Sequence, residues 1–450
     1  MWESLGFRES PYNTDPLKAR NEDVELLVGR ETEAIEFCTN LESADKGILI
    51  LSGSPGVGKT SFFNIQQYLL ENGRTPFGPK ILAARKLCPV QPTDTVKPLA
   101  VRALDSLHKS IEQWCVLNNK DIPSETKKVG KWLSGGGAAG FDFGIDIMGF
   151  GGNVGRSVEL PSLADASFEA VADAICALTS EAIAKLGFRS AIIALDNLEN
   201  FSDEQLGAML ISFRDTLFSI PNLWWVLIGQ SGLGSLIQSL DPRVFERISG
   251  SGIEVRPIEL DELDKAIAIR VSRFHKSGST KAPLPIETHK QLFEASFGEM
   301  RFVFKYSNAI CVKFVEGMRT RVLAAQAAKG ETPRASFAKA LDLVIAEHMV
   351  NHQIGHADAT KHLRAIVTSE LDGYFLKPKE KTVLAAIGLK GNARASDFKH
   401  FSVRTMQDFS SNYLTKLYHQ NLLVREQEGR AVNYRLRGIA RLSHGFSLLT

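Results

Sequence analysis

Short, continuously apolar runs alternate along this chain with longer stretches in which apolar residues recur every three or four positions. Gly47-Ile48-Leu49-Ile50-Leu51, Ala191-Ile192-Ile193-Ala194-Leu195 and Leu223-Trp224-Trp225-Val226-Leu227-Ile228 contain no polar interruption. Runs of this length predict strands covered on both faces, the pattern of a parallel sheet. Ile81-Leu82-Ala83-Ala84 predicts a further strand. Between them the period changes. Ala34, Ile35, Cys38 and Leu41 share one face of a helix over 31–43, and Leu99, Val101, Leu104, Leu107 and Ile111 one face over 97–118. Helices are also expected at 164–186 and 203–219. Strands alternating with helices imply an α/β core with helices on both faces of the sheet.

From residue 258 the strand signals stop. Helices are expected at 261–276, 285–296 and 301–328, then a helical stretch over 332–371. The organisation read from the pattern is a core at 1–257, a small helical lid at 258–330, a helical linker at 331–375 and a separate module at 376–450. One segment of the core breaks the pattern. Residues 130–155 hold ten glycines, interleaved with Phe141, Phe143, Ile145, Ile147 and Phe150. The period-two alternation fits a β-hairpin. Its apolar content suits a contact surface for a neighbouring subunit or partner protein, or a hairpin packed on its own domain.

Chemistry enters at the end of the first strand. Gly53-Ser54-Pro55-Gly56-Val57-Gly58-Lys59-Thr60 is a complete Walker A loop, and Ser61 continues into a helix. Glycines let backbone N–H groups turn around a polyphosphate, Lys59 reaches the β- and γ-phosphates, and the Thr60 hydroxyl can hold Mg²⁺. The loop predicts a nucleoside-triphosphate site. Asp196 ends the Ala191–Leu195 strand, where a carboxylate completes the magnesium shell. The position after it is Asn197, whose amide cannot take a proton from water; the nearest carboxylate is Glu199. Either Glu199 is the base or hydrolysis is slow, and a glutamate at 197 is expected to raise the rate. Gln230 follows the tryptophan-bearing strand, where it either orients water or forms part of a turn with Ser231. Arg243 and Arg247 lie past the next helix, where an arginine can reach the γ-phosphate of a neighbouring subunit. Arg301 opens a lid helix and is placed to follow the phosphates.

Composition narrows the class. The net charge is only +2, yet residues 376–450 carry 13 Lys and Arg against 5 Asp and Glu, and the rest 40 against 46. A basic module on a mildly acidic body suggests a polyanionic partner at that end. Five scattered cysteines without metal-ligand spacing suit buried thiols in a reducing compartment. No signal-peptide pattern and no bilayer-length apolar run are seen, so the cytoplasm is expected, with nucleoid association if DNA is bound.

Taken together, these residues resemble the AAA+ ATPases, within them the origin-recognition and initiator branch, over roughly 1–325. The resemblance implies ATP or ADP with Mg²⁺, and ATP-dependent homo-oligomers. Phe7-Arg8-Glu9-Ser10-Pro11-Tyr12 and Val28-Gly29-Arg30-Glu31 look like the segments that enclose adenine there, which implies nucleotide contacts from Tyr12, Gly29 and Arg30. Asp196 matches the Walker B aspartate, Arg247 the arginine finger and Arg301 the second sensor. Asn197 and the glycine-rich insertion depart from the pattern. Residues 380–436 resemble a winged helix-turn-helix domain. Its third helix would offer Ser411, Asn412, Thr415 and Lys416 to a major groove, and Arg430 at the wing tip would meet phosphates. The expected function is an ATPase whose nucleotide state controls assembly and duplex DNA binding. A signalling or defence switch of the STAND type and a transposition-type target selector are the alternatives.

Overall fold

The computed structural model describes residues 1–75, 79–84, 87–135, 162, 165–277, 279, 281–328, most of 341–349, 353–428 and 431–449. They form two compact units, one of residues 16–256 and one of residues 1–15 with 257–450.

In the first unit the apolar runs become β1 (Gly47–Ser52), β4 (Ser190–Asp196) and β5 (Leu223–Gly229), joined by β2 (Ile81–Ala83), β3 (Cys88–Pro89) and β6 (Ile253–Glu254). The order is β2-β4-β5-β1-β6, with β3 also on β4, and every pairing is parallel. Successive side chains point to opposite faces, and both faces are covered. Ile48, Ile50, Ile193, Leu195, Trp225 and Leu227 pack into one apolar layer. Leu49, Leu51, Ile192, Ala194, Trp224 and Val226 pack into the other. This is why the runs show no alternation: a strand with two buried faces needs apolar residues at every position.

The expected helices are present as Glu31–Ser43, Val96–Leu117, Phe168–Leu186 and Asp203–Arg214, the last followed by a 3₁₀ turn at Leu217–Ser219. The third starts at Phe168 because the Ser167 hydroxyl accepts the Ala170 N–H at 3.1 Å and caps it. A helix that the pattern did not indicate, Ser124–Leu133, runs into the first residues of the glycine-rich stretch. Positions 130–133 are therefore helical, not the start of an insertion. The hairpin and contact surface expected over the rest of 130–155 lie outside the described residues, apart from Ser134 and Gly135.

In the second unit, helices Leu260–Phe274, Ile286–Ser296, Met300–Ala327 and His356–Gly373 form a layer. The first fifteen residues group with this layer and not with the core expected at 1–257. Aromatic packing explains it. Trp2 packs edge-on against Phe7 and Tyr12, each at 5.9 Å between ring centroids, and Phe7 packs against His275 at 5.0 Å. The chain ends in helix Pro378–Lys390, a 3₁₀ turn at Ala395–Asp397, and a helical stretch from Met406 to His419 with π geometry over Phe409–Thr415. An antiparallel hairpin follows, β7 (Leu423–Glu428) with β8 (Ala431–Leu436), then helix Gly438–Gly445.

Candidate nucleotide site

The loop after β1 is shaped by close backbone approach. Gly53 has φ 156°, and a Cβ there would lie 2.4 Å from the Val255 carbonyl oxygen. Only glycine fits. Gly58, at φ 102°, caps helix Lys59–Glu71, and no side chain caps that helix. Its first turn is thus left to a bound anion. Lys59 is buried, and its Nζ donates to the carbonyls of Gly53 at 2.8 Å and Ser54 at 3.2 Å. The ammonium group lies across the inside of the loop, where phosphate oxygens would replace the carbonyls. Ser54 and Pro55 are exposed, Gly56 is half-buried and Val57 is buried.

β1, β5 and β4 bring their C-terminal ends to one edge of the sheet. Ser52 pairs with Gly229, and Leu195 with Leu227. Asp196 is thereby held beside the loop. Its Oδ2 accepts the Thr60 hydroxyl at 3.1 Å, and its Oδ1 accepts the Asn197 N–H at 2.9 Å. A hydroxyl and a carboxylate within hydrogen-bond reach of each other at a phosphate loop suit the shell of a magnesium ion. Among the described residues no group of three His, Cys, Asp or Glu could hold a metal by itself. An ion here would need the nucleotide to complete its shell.

Asn197 sits at φ 63°, ψ 43°, and it opens a 3₁₀ turn at Leu198–Asn200. This left-handed backbone is one that asparagine tolerates better than most residues. Glu199 lies on that turn and is exposed; Gln230, directly after β5, is exposed as well. β5 stands between β1 and β4. Gln230 therefore leaves the sheet between the phosphate loop and Asp196. Two residues that sequence reasoning missed pin this region. Asn200 Nδ2 donates to the Val90 carbonyl and Gln205 Nε2 to the Pro92 carbonyl, both at 2.8 Å. Nothing in the local sequence signals them, because their partners lie on a distant segment.

Arg30 is a brace. It is buried, with Nη2 donating to the Val57 carbonyl at 2.8 Å and Nη1 to the Arg256 carbonyl at 2.6 Å and Glu33 at 2.9 Å. Burial lowers its pKa from the usual arginine range, with Glu33 opposing that shift. Gly29, at φ 67°, turns the chain into it. Ser61 Oγ accepts the Leu17 N–H at 3.1 Å, and Asn64 returns a bond to the Leu17 carbonyl at 2.8 Å. Arg247 makes an exposed ion pair with Asp215 at 3.3 Å, and its Nη1 donates to the Arg214 carbonyl.

Tyr12 and Arg301 belong to the other unit. Tyr12 is fully buried there, hydrogen bonded to His289 Nε2 at 2.9 Å and stacked on Phe304. Arg301 is the exposed second residue of helix Met300–Ala327. In the C-terminal module Ser411, Asn412 and Lys416 are exposed and Thr415 is half-buried. Asn412 Nδ2 donates to Asp408 at 2.7 Å, and Lys416 pairs with Glu380. Arg430 lies outside the described residues. Part of the module's charge is neutralised internally, where Lys390 pairs with Asp397, and Arg437 pairs with Glu299 of the helical layer.

No protein-family description and no curated protein matches this chain. Solved structures are similar over nearly its whole length. The Aeropyrum pernix ORC2 protein, in ADPNP–ADP complexes, is 13% identical over 98% of this chain and 97% of its own, with a TM-score of 0.44. The Aeropyrum pernix ORC1 protein in complex with DNA is 14% identical over 94% and 96%, TM-score 0.42. A Thermotoga maritima RuvB variant is 13% identical over 95% and 98%, TM-score 0.38.

Proposed function

We propose that this chain is an ATP-binding P-loop ATPase of the AAA+ type, whose nucleotide state governs self-association and the binding of duplex DNA. One observation carries the nucleotide half: Lys59 lies across a glycine-built loop whose next residue, Thr60, is bonded to Asp196 at 3.1 Å. ATP or ADP takes the loop from Gly53 to Ser61, with Arg30 bracing it. Thr60 and Asp196 hold Mg²⁺, which neutralises charge on the phosphates. The exposed Glu199 and the left-handed Asn197 favour slow turnover, with Gln230 orienting water. Arg247 acts on the nucleotide of a neighbouring copy, and Arg301 answers the phosphates. Gly29 belongs to the adenine end, by resemblance; Tyr12, expected there too, is instead buried against His289 and Phe304.

The DNA half rests on the C-terminal module, which combines three helical segments, a hairpin and a surplus of positive charge. We read it as a winged helix that presents Ser411, Asn412 and Thr415 to a groove, with Arg430 at the wing tip by resemblance; Lys416, expected at the groove, is instead paired with Glu380. Ser411 and Asn412 are exposed. Duplex DNA mobility with the full chain, in ATP, in ADP and without nucleotide, tests the reading. Binding that changes with nucleotide and weakens steeply with salt is expected. Absence of ATP binding in a fluorescent-nucleotide titration would remove the nucleotide half; absence of DNA binding at low salt in all three states would remove the other.

A further inference from the structure

The helical stretch from Met406 to His419 is not a regular α-helix. Over the seven residues Phe409–Thr415 it takes π geometry, in which the hydrogen bonds span five residues instead of four. Such turns are rare and occur mostly at functional positions. Packing gives this one its cause. Phe409 and Leu414 are both fully buried, and Phe409 stacks on Phe401 at 4.8 Å between ring centroids. Five residues apart, they would stand about 140° from each other around an α-helix. A π turn brings them onto one face, and the residues between them bulge outward. Ser411 and Asn412, in that bulge, are exposed. The helix starts one turn earlier, where the Thr405 hydroxyl accepts the Asp408 N–H at 3.1 Å. Asp408 Oδ1 then accepts a bond from Asn412 Nδ2 at 2.7 Å.

That bond fixes the amide. A carboxylate only accepts, so Asn412 turns its nitrogen, and not its oxygen, toward Asp408. One N–H is used, while the other N–H and Oδ1 remain for a ligand. Adenine presents an acceptor, N7, and a donor, the N6 amino group, on its major-groove edge. Asn412 held this way offers the matching donor and acceptor side by side. Guanine presents two acceptors there, O6 and N7, so Oδ1 would face one of them. Turning the amide over would set Oδ1 against the Asp408 carboxylate. Ser411 and Thr415 carry hydroxyls that donate or accept alike, and so they tell bases apart poorly. We propose that Asn412 reads adenine in the major groove, and that Asp408 is the positioning residue that fixes its amide. Asp408 takes the N–H anti to the carbonyl, which leaves the syn N–H for N7 and Oδ1 for the N6 amino group. The proposal rests on the reading of the module as a binder of duplex DNA, and adds the base and the groups that select it.

Selection of bound duplexes from a random pool by the full chain, at low salt, identifies the preferred site. Affinity is then measured for that duplex and for one with guanine in place of the adenine, with circular dichroism as the check on folding. Wild-type protein should prefer adenine by about fivefold or more. Replacing that adenine with 7-deazaadenine, which lacks the N7 acceptor, should remove most of the preference. Asn412→Ala should bind the two duplexes alike and ignore the 7-deaza change. Asp408→Asn keeps size but removes the fixed acceptor, so the Asn412 amide is free to turn over. The preference should then fall toward one, while affinity for unselected duplex holds or rises with the loss of a negative charge. An Asp408 that only supports the helix would instead weaken binding to every duplex alike, with the preference intact. A preference that 7-deazaadenine leaves unchanged in wild type, or that survives Asp408→Asn in a folded protein, overturns the proposal. So does duplex binding without a preference for adenine at any position. These outcomes leave the DNA reading in place. Absence of binding to any duplex at low salt overturns that reading and this proposal together.

Discussion

Lys59 and Lys416 show how differently the two units of this chain hold a positive charge. Lys59 is buried, and its ammonium donates to two backbone carbonyls of its own loop. Lys416 is 42% exposed, yet its partner is the carboxylate of Glu380, whose side chain is 5% exposed. A carbonyl is a neutral acceptor that a phosphate displaces at a gain, because bonds to a charged acceptor are roughly twice as strong. A buried carboxylate is not given up so easily, since leaving it unpaired costs its desolvation. Burial works to raise the pKa of Glu380, but the bonds from Lys416 and the Lys377 N–H hold it below the usual glutamate value. The first lysine is poised for a ligand; the second ties the helix Pro378–Lys390 to the segment after it. Positive charge alone does not mark a binding residue. What it rests on does.

The largest effect expected from this contrast is at Lys59. Lys59→Ala removes the charge-assisted bonds to the phosphates, at roughly 1.5–3 kcal/mol each, and should lower ATP affinity by tenfold to a hundredfold or more. The melt should shift less than the affinity, since the loss there is confined to the donor of the buried Gly53 carbonyl and of the Ser54 carbonyl. Titration with a fluorescent ATP analogue, beside a thermal melt, measures both. Unchanged affinity would break the contrast at its stronger end.

Lys416→Ala should act the other way round. It strands Glu380, and the expected loss is about 1–3 kcal/mol of stability in urea unfolding, discounted for the exposed lysine. Adding Glu380→Gln should recover part of that loss. Stability within about 0.5 kcal/mol of wild type, with a weakened DNA complex, would show instead that Lys416 is a binding cation like Lys59.

Acid should sharpen the same division between the units. His289, wholly buried against Tyr12, has its pKa lowered from 6.5 to about 4 by desolvation. A histidine depressed in the folded state binds fewer protons there than in the unfolded chain. Its contribution is therefore complete above pH 6.5 and is lost as the pH falls toward 4. Between pH 7 and pH 5 the helical layer should lose about 1–2 kcal/mol from this group. His289→Gln should flatten that dependence. A slope that is unchanged in His289→Gln would place the acid sensitivity elsewhere.

What could be read ahead of the structure follows the same physical divide. β1, β4 and β5 were legible because both their faces are buried, and the phosphate loop because Gly53 and Gly58 have no substitute in its turns. β3 and β6 were not: two residues each carry no period, and only pairing with β4 and β1 makes them strands. The grouping of residues 1–15 with the helical layer depends on Phe7 and Tyr12 finding rings hundreds of positions away, with Trp2 packed against both. Arg30 illustrates the limit best. Its motif suggested a nucleotide contact, while its bonds to the Val57 and Arg256 carbonyls make it a brace of the loop. At the C-terminal module the charge surplus was plain, but Glu380 lies 36 positions from Lys416, and no local pattern announces that pair.

The smallest expected effect tests how the site holds Asp196. Asn197 occupies left-handed backbone, and its N–H donates to Asp196 Oδ1 at 2.9 Å while Thr60 bonds the other oxygen. The turn itself thus aims the carboxylate. Glycine tolerates this backbone fully and glutamate poorly, at a cost of roughly 1–2 kcal/mol. Asn197→Gly should leave ATP affinity and stability within a few tenths of a kcal/mol apart from the entropy of the unfolded chain. Asn197→Glu should lose about 1 kcal/mol. The sequence alone suggested that a glutamate at 197 raises hydrolysis; the backbone argues against it, because a side chain that strains the turn also moves Asp196. Steady-state ATPase rates and melts of both variants decide. If Asn197→Glu turns over faster than wild type at unchanged stability, the turn relaxes without cost. The nucleotide unit would then hold its carboxylate less rigidly than the contrast with the C-terminal module requires.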